Sequence, residues 1–223
     1  MQLVVLDVDG TLVDSQALIV EAQRRAFSAC GLEPPTRERS LSIVGLSLRE
    51  AFLVLVGPSG PYERLGEEYK LAFQALRTDP AWHEPLFPGI EAMVARLARS
   101  DRFLLGIATG KSRRGVDYLV RRHGWDGLFS TIQTADDAPS KPHPAMLRQA
   151  LAEAGVAAED AVMVGDTTFD MAMARAAGVR AIGVTWGYHP LAALEEAGAE
   201  ILISRIEDLA PLIGLDERAP SHG

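Results

Sequence analysis

The sequence predicts an α/β protein, a doubly wound parallel sheet with a small helical domain inserted after its first strand. Three features of the 223 residues carry that expectation. Short β-rich apolar runs alternate with helical patterns through most of the chain. From about residue 14 to 84 the alternation stops and only helical patterns remain. Polar motifs recur directly behind the apolar runs, which is where sheets of this kind bind ligands.

Taken in order, Leu3–Leu6 is a short continuous apolar run and reads as a buried strand. Helical stretches follow near Gln16–Cys30, Leu48–Val56 and Tyr62–Leu76. Pro34-Pro35 and Gly57-Pro58-Ser59-Gly60-Pro61 punctuate them, and a loop from Asp79 to Gly89 restores the alternation. The segment 14–84, roughly 70 residues, is expected to be a helical cap with Pro-rich joints as hinges. The core is then 1–13 and 85–215. Its further strands fall at Phe103–Ala108, Thr131–Gln133, Ala161–Val164, Ala181–Val184 and Ile201–Ile203. Helical patterns at Ala92–Leu97, Ala145–Ala154 and Met171–Ala177 lie between them. The tail 216–223 is polar and expected to be loose.

Bulk properties exclude several function classes. Thirty acids against 22 bases give a net charge of −8, which leaves no electrostatic footprint for nucleic acid. A phosphorylated substrate meets the same repulsion, so a metal ion and a few placed bases must reverse the field locally. The pairs Arg24-Arg25, Arg113-Arg114 and Arg121-Arg122 read as solvated helix faces. A single cysteine, Cys30, forbids an intrachain disulfide and suggests a reducing compartment. No apolar stretch approaches the ~20 residues that span a bilayer. The chain opens on a strand without a basic-then-apolar leader. A cytoplasmic protein is expected, as a monomer or homodimer.

Four motifs carry chemistry. The first is Asp7-Val8-Asp9-Gly10-Thr11, behind the first strand. Two carboxylates this close repel by roughly 4 kcal/mol at ~4 Å and an effective dielectric of about 20. A cation or a reaction can offset that cost. Gly10 permits a sharp turn and Thr11 adds a hydroxyl; the competing reading is an Asp-Gly hairpin turn. The second, Ala108-Thr109-Gly110-Lys111-Ser112, offers a hydroxyl and free amides as an anion-binding rim, or simply a helix cap at Thr109.

The third motif is Ser140-Lys141-Pro142-His143-Pro144. Lys141 is one of three lysines, and the flanking prolines hold it in place. It suits a point charge facing a phosphate and a carboxylate, against the alternative of a surface lysine. His143 has no nearby His or Cys at metal-ligand spacing and reads as loop. The fourth, Gly165-Asp166-Thr167-Thr168-Phe169-Asp170, places two acids one helical turn apart. Each could be a helix-capping acid. Together with Asp7 and Asp9 they make four carboxylates at one rim. An all-oxygen set favours a hard divalent ion, most simply Mg²⁺, over zinc.

This set, in this order, resembles the haloacid dehalogenase superfamily of phosphohydrolases across essentially the whole chain. The resemblance implies a small helical cap, Asp7 as a nucleophile forming an aspartyl-phosphate, and Asp9 as general acid and then base. Thr109, Gly110 and Lys141 would bind the transferring phosphoryl group. Asp7, the backbone carbonyl of Asp9 and Asp166 would ligate Mg²⁺, with Asp170 supporting the metal or Lys141. Val8 stands where the family most often has phenylalanine. The acid at Asp9 sets aside the dehalogenating branch. Lys70, the cap's only lysine, lies too far from the first hinge for the Schiff-base branch.

Gly183–Tyr188 and Gly45–Glu50 are similar to the phosphoglycolate phosphatase group. Trp186 and Tyr188 read as strand-end packing. Arg49, at a plausible cap tip, either grips the substrate's carboxylate or phosphate or is a solvated helix arginine. The expected activity is Mg²⁺-dependent hydrolysis of a small phosphorylated metabolite, with 2-phosphoglycolate the single best substrate. The alternative is a sugar-phosphate mutase, which shares the cap and all four motifs.

Overall fold

A computed structural model describes residues 1–215. The expected tail at 216–223 lies outside the described residues. Six strands, β1 (Gln2–Leu6), β2 (Phe103–Ala108), β3 (Phe129–Gln133), β4 (Ala161–Gly165), β5 (Arg180–Val184) and β6 (Ile201–Ile203), form one parallel sheet. Their order is β3-β2-β1-β4-β5-β6. The chain winds outward from β1 to β3, then returns to start again at β4 on β1's other side. The switch point therefore lies between β1 and β4, where such sheets open a crevice.

Strand β1 shows why the sheet is covered on both faces. Leu3 and Val5 enter an apolar cluster with Met146, Leu147 and Met171, while Val4 and Leu6 enter another with Ile90, Val94 and Leu97. Successive side chains point to opposite faces, so a strand buried on both must be apolar throughout. Helices α5 (Ile90–Ala98), α6 (Arg113–Arg122) and α10 (Leu209–Leu212) pack on one face. Helices α7 (Ala145–Ala154), α8 (Thr168–Ala177) and α9 (Leu191–Ala197) pack on the other.

The stretch between β1 and α5 is helical, as α1 (Gln16–Ala29), α2 (Arg37–Leu41), α3 (Leu48–Val56) and α4 (Tyr62–Arg77). These helices have small apolar clusters of their own, one around Phe27, Phe52 and Leu65 and one around Leu18, Ala22 and Leu76. The chain leaves and re-enters the sheet domain through two touching segments. Val13 bridges Leu86, Asp14 N donates to Pro85 O at 2.8 Å, and Phe87 N donates to Leu12 O at 3.0 Å. Among the described residues no helix is long and apolar enough to cross a membrane.

Two readings need correction. Helices α2, α6, α9 and α10 had no range in the apolar pattern; α6 buries only Gly115, Val116 and Leu119 among ten residues, too few to show a period. Arg113 is not merely solvated: its guanidinium reaches Ile132 O and, at 2.8 Å, Asp137 Oδ2, pinning the loop after β3. Arg24 and Arg25 do behave as expected, pairing with Glu21 on an exposed face.

Candidate active site

Asp7 and Asp166 extend the neighbouring strands β1 and β4 past their last paired residues, so the sheet itself brings them together. The amide of Asp7 still bonds Val164 O at 3.0 Å, which fixes the register. Asp170 joins from the first turn of α8, and carboxylate oxygens of Asp7, Asp166 and Asp170 lie within 4.8 Å of one another. All three are fully buried or nearly so, at 1% exposure or less. Gly10 makes this packing possible: its φ of +88° is a turn, and a Cβ there would sit 2.2 Å from Asp166 Oδ2.

The acids differ in what already holds them. Asp166 accepts from the Thr11 hydroxyl at 2.9 Å and from the Tyr188 amide at 2.9 Å. Asp170 accepts from the Thr167 amide and hydroxyl at 3.0 and 2.7 Å, closing a capping box at the start of α8. Its other oxygen faces Lys141 Nζ at 2.5 Å. Lys141 also lies 2.9 Å from Asp7 Oδ1. Among the described residues no other side chain donates to the Asp7 carboxylate.

Charge follows from this geometry. Burial pushes the Asp7 carboxyl up to about 6, against the pull of Lys141 and with a push from Asp170. Burial first, then Asp7 and Asp170, holds Asp166 well above the ordinary carboxylate range. Asp170 and Asp7 hold the Lys141 ammonium charged, overcoming burial. One buried cation thus serves three crowded acids. A hard divalent cation fits the remainder, because it would find oxygen ligands only and an Asp7 carboxylate that Lys141 alone among the described side chains engages. Asp7 and Asp166 would hold it. Asp170, with both oxygens engaged, is placed to orient Lys141.

Asp9 is placed differently. Its carboxylate is outside the three-acid cluster and is held by Ser15 Oγ at 2.7 Å and Lys111 Nζ at 2.8 and 3.1 Å. Any metal contact from this residue would fall to its backbone carbonyl. Thr109 is buried at the end of β2, its amide donating to Gln133 O at 3.0 Å and its hydroxyl accepting from the Lys111 amide at 3.2 Å. Gly110 has a steric reason to be glycine: a Cβ there would meet Gly45 O at 2.5 Å and Leu46 O at 2.6 Å. The loop before α3 thus rests on the loop after β2. A second contact, Ser47 N to Ser140 Oγ at 2.8 Å, joins it to the Lys141 loop.

Between the helical insertion and the sheet edge opens a cavity of about 1270 Å³ that contains Asp7, Asp9, Thr109 and Lys141 in its wall. Ile43, Val44, Phe52 and Phe73 make much of the opposite wall apolar. Arg49 lies on this wall, but its guanidinium is taken up by Glu50 Oε1 at 2.8 Å and by the Tyr62 ring at 5.3 Å. Lys70 pairs with Glu67 at 3.0 Å on the exposed side of α4. His143 stays in its loop, where Nδ1 accepts from the Ala145 amide at 3.2 Å.

Sequence reasoning underrated Tyr188 and missed Ser15, Glu84 and Lys111 as parts of the site. Trp186 does pack, against Phe87 at 6.2 Å, though its indole also donates to Thr11 O at 3.2 Å. Tyr188 does more than pack: its hydroxyl takes the Ser15 amide at 3.0 Å and lies 3.2 Å from Ser15 Oγ, behind Asp9. Lys111 sat in a quoted motif and was one of only three lysines, which was the signal available.

A parallel sheet that gathers acids and a lysine at its switch point, under a helical insertion, is the framework of an α/β hydrolase that handles phosphoryl groups. The haloacid dehalogenase-like hydrolase family model matches residues 4–184, and the chain belongs to that family. It is similar to "Probable phosphatase IndB" of Dickeya dadantii (strain 3937), 33% identical over 93% of this chain and 91% of that one. It is 28% identical to "Pyrophosphatase PpaX" of Anoxybacillus flavithermus, over 96% of this chain and 98% of that protein. In structure it resembles a haloacid dehalogenase-like hydrolase, SP0104 of Streptococcus pneumoniae, at a TM-score of 0.81 and 26% identity, covering 95% and 98% of the two chains. By this kinship the protein is an enzyme of the phosphatase kind.

Proposed function

We propose that this phosphatase hydrolyses a small phosphomonoester in two displacements through an aspartyl-phosphate on Asp7, with Mg²⁺ as its metal. The observation that carries the reading is the Asp7 carboxylate itself. It is buried at the sheet's switch point, with Lys141 2.9 Å away as the only side chain among the described residues that donates to it. A buried carboxylate held beside one fixed cation is suited to attack phosphorus.

In the first displacement an Asp7 oxygen forms a bond to phosphorus as the ester oxygen leaves. Lys141 and the Thr109 hydroxyl neutralise charge on the transferring group. Asp9 gives a proton to the departing oxygen. In the second, Asp9 takes a proton from water as the water oxygen attacks phosphorus, and the Asp7 carboxylate is released with inorganic phosphate. Asp170 keeps Lys141 in line throughout. Asp7, Asp166 and the Asp9 carbonyl would hold the metal, which would supply charge stabilisation for the phosphoryl oxygens.

For the leaving group, 2-phosphoglycolate is the substrate the motifs favour, and the relatives' names add phosphate esters at large and pyrophosphate. The names of these relatives support hydrolysis over internal transfer. The cavity has room for a leaving group larger than glycolate, so longer and more apolar esters belong in the same trial. Phosphate release across such a panel, with and without Mg²⁺, tests the reading. Release is expected with Mg²⁺ and is expected to vanish on chelation. Full turnover by Asp7→Asn, or turnover indifferent to chelation, would overturn it.

A further inference from the structure

Four charged side chains run in an unbroken line across the seam between the helical insertion and the sheet. Asp9 meets Lys111 Nζ at 2.8 Å, and the same ammonium donates to Glu84 Oε1 at 3.2 Å. Glu84 Oε2 accepts from Arg77 Nε at 2.8 Å. The signs alternate, so the line is neutral as a whole. It is also scarcely solvated: side-chain exposure is 13% for Asp9, 7% for Lys111, 1% for Glu84 and 14% for Arg77. Aromatic faces wall it in, with Lys111 Nζ 5.0 Å from the Phe73 ring and the Arg77 guanidinium 4.3 Å from Tyr118.

Stability does not account for such a line. Withdrawing four charges from water is costly, and apolar side chains of similar volume would hold the seam as well or better. What the line does accomplish is orientation. Arg77 is the last residue of α4, Glu84 lies on the segment returning to the sheet, and Lys111 and Asp9 stand at the ends of β2 and β1. From the far side Ser15 Oγ holds Asp9 Oδ1 at 2.7 Å, itself backed by Tyr188.

We infer that Lys111 and Glu84 are positioning residues for Asp9, and that through Arg77 they tie the pose of its carboxylate to the placement of α4. The inference rests on Asp9 being the group that hands a proton to the leaving oxygen. Freed of Lys111, the carboxylate keeps only the Ser15 bond and can turn about its side-chain torsions. A proton donor displaced by about 1 Å loses on the order of a hundredfold in rate. Glu84 acts one step further out, by fixing where Lys111 stands.

The test uses leaving groups of different need. An alkyl phosphate requires a proton on its departing oxygen, whereas p-nitrophenyl phosphate releases a stabilised phenolate without one. Values of kcat and KM are measured on both esters, at saturating Mg²⁺, for the wild type, Lys111→Met, Lys111→Arg, Glu84→Gln and Asp9→Asn. The expected result is an alkyl-to-aryl ratio of kcat/KM, which reports only the first displacement, that falls about tenfold or more in Lys111→Met and Glu84→Gln. Lys111→Arg, which keeps a cation in place, should restore most of that ratio. Equal losses of kcat/KM on both esters, or no loss, would reduce the line to a structural element and overturn the inference. Should Lys111→Met not fold, the ratio in Glu84→Gln and Lys111→Arg decides by the same rule. Asp9→Asn separates the two levels: if it lowers kcat/KM on both esters alike, the proton-donor reading itself fails, whereas a loss of kcat common to both reports the shared second displacement.

Discussion

Asp7 is a carboxyl that the fold keeps in an unfavourable place. Burial raises it to about 6 from an ordinary value of 3.8, so without metal the folded state holds a proton that the unfolded chain has released. The sign follows directly. Stability from this group is present below about pH 4 and is lost as pH rises through about 6. Metal-free wild type should therefore lose on the order of 1–3 kcal/mol across that window relative to Asp7→Asn, which carries no charge to lose. Denaturant titrations of the two proteins at pH 4 and pH 7 would show it. A difference between them that does not change with pH would contradict the assignment.

Under the proposed mechanism the same residue is the nucleophile, and Asp7→Asn should cut phosphate release at least about a thousandfold. The variant would gain stability while losing function, the pattern expected where a site stores strain.

Secondary elements place these groups with little freedom. Thr167 caps α8 by accepting from the Asp170 amide, and its own amide and hydroxyl donate to the Asp170 oxygen opposite the one that meets Lys141. Thr167→Ala should cost about 1 kcal/mol for the lost cap, seen in thermal unfolding, and should lower kcat more than it alters KM. Gly110→Ala tests another joint. Its new methyl would push on the carbonyls of Gly45 and Leu46, at about 1–3 kcal/mol, and displace the loop of the insertion nearest the site. An unchanged KM in Gly110→Ala would mean that this loop does not touch the substrate.

Element by element, the sequence shows the sheet more clearly than the insertion. Strands such as Val4-Val5-Leu6 are buried on both faces, and continuous apolar runs mark them plainly. Asp7, Asp166 and Asp170 could be grouped because a parallel sheet sends every strand end to the same edge. Helix α6 escaped because five charged residues among its ten hide the three buried positions, whose neighbours only tertiary packing supplies. The line from Asp9 to Arg77 escaped for a related reason. Its members are spread from residue 9 to residue 111, and single charges at 77, 84 and 111 look like any solvated side chain until the insertion folds back on the sheet.

At the scale of the whole molecule, an acidic protein must admit an anion. Its net charge is −8, and the site itself adds buried acids. A divalent cation would resolve both difficulties at once, by offsetting the acids and by reversing the local field for a phosphate ester. Binding only to the folded state, it should raise the unfolding temperature at pH 7, by about 2.7 kcal/mol of stability at a hundredfold excess over Kd. That gain should shrink as pH falls below about 6, where protons compete for Asp7. Calorimetry with and without Mg²⁺ at two pH values would check it, and chelator should return the protein to its metal-free curve.

The most direct measurement is a rapid acid quench during turnover of a good phosphomonoester with Mg²⁺, followed by mass spectrometry of the peptide that carries Asp7. Asp9→Asn, in which the second displacement is slowed, serves to accumulate the species. A peptide heavier by one phosphoryl group, labile to hydroxylamine and absent from Asp7→Asn, is the predicted result. Turnover that continues with that peptide never modified, or a modified peptide surviving in Asp7→Asn, would contradict it.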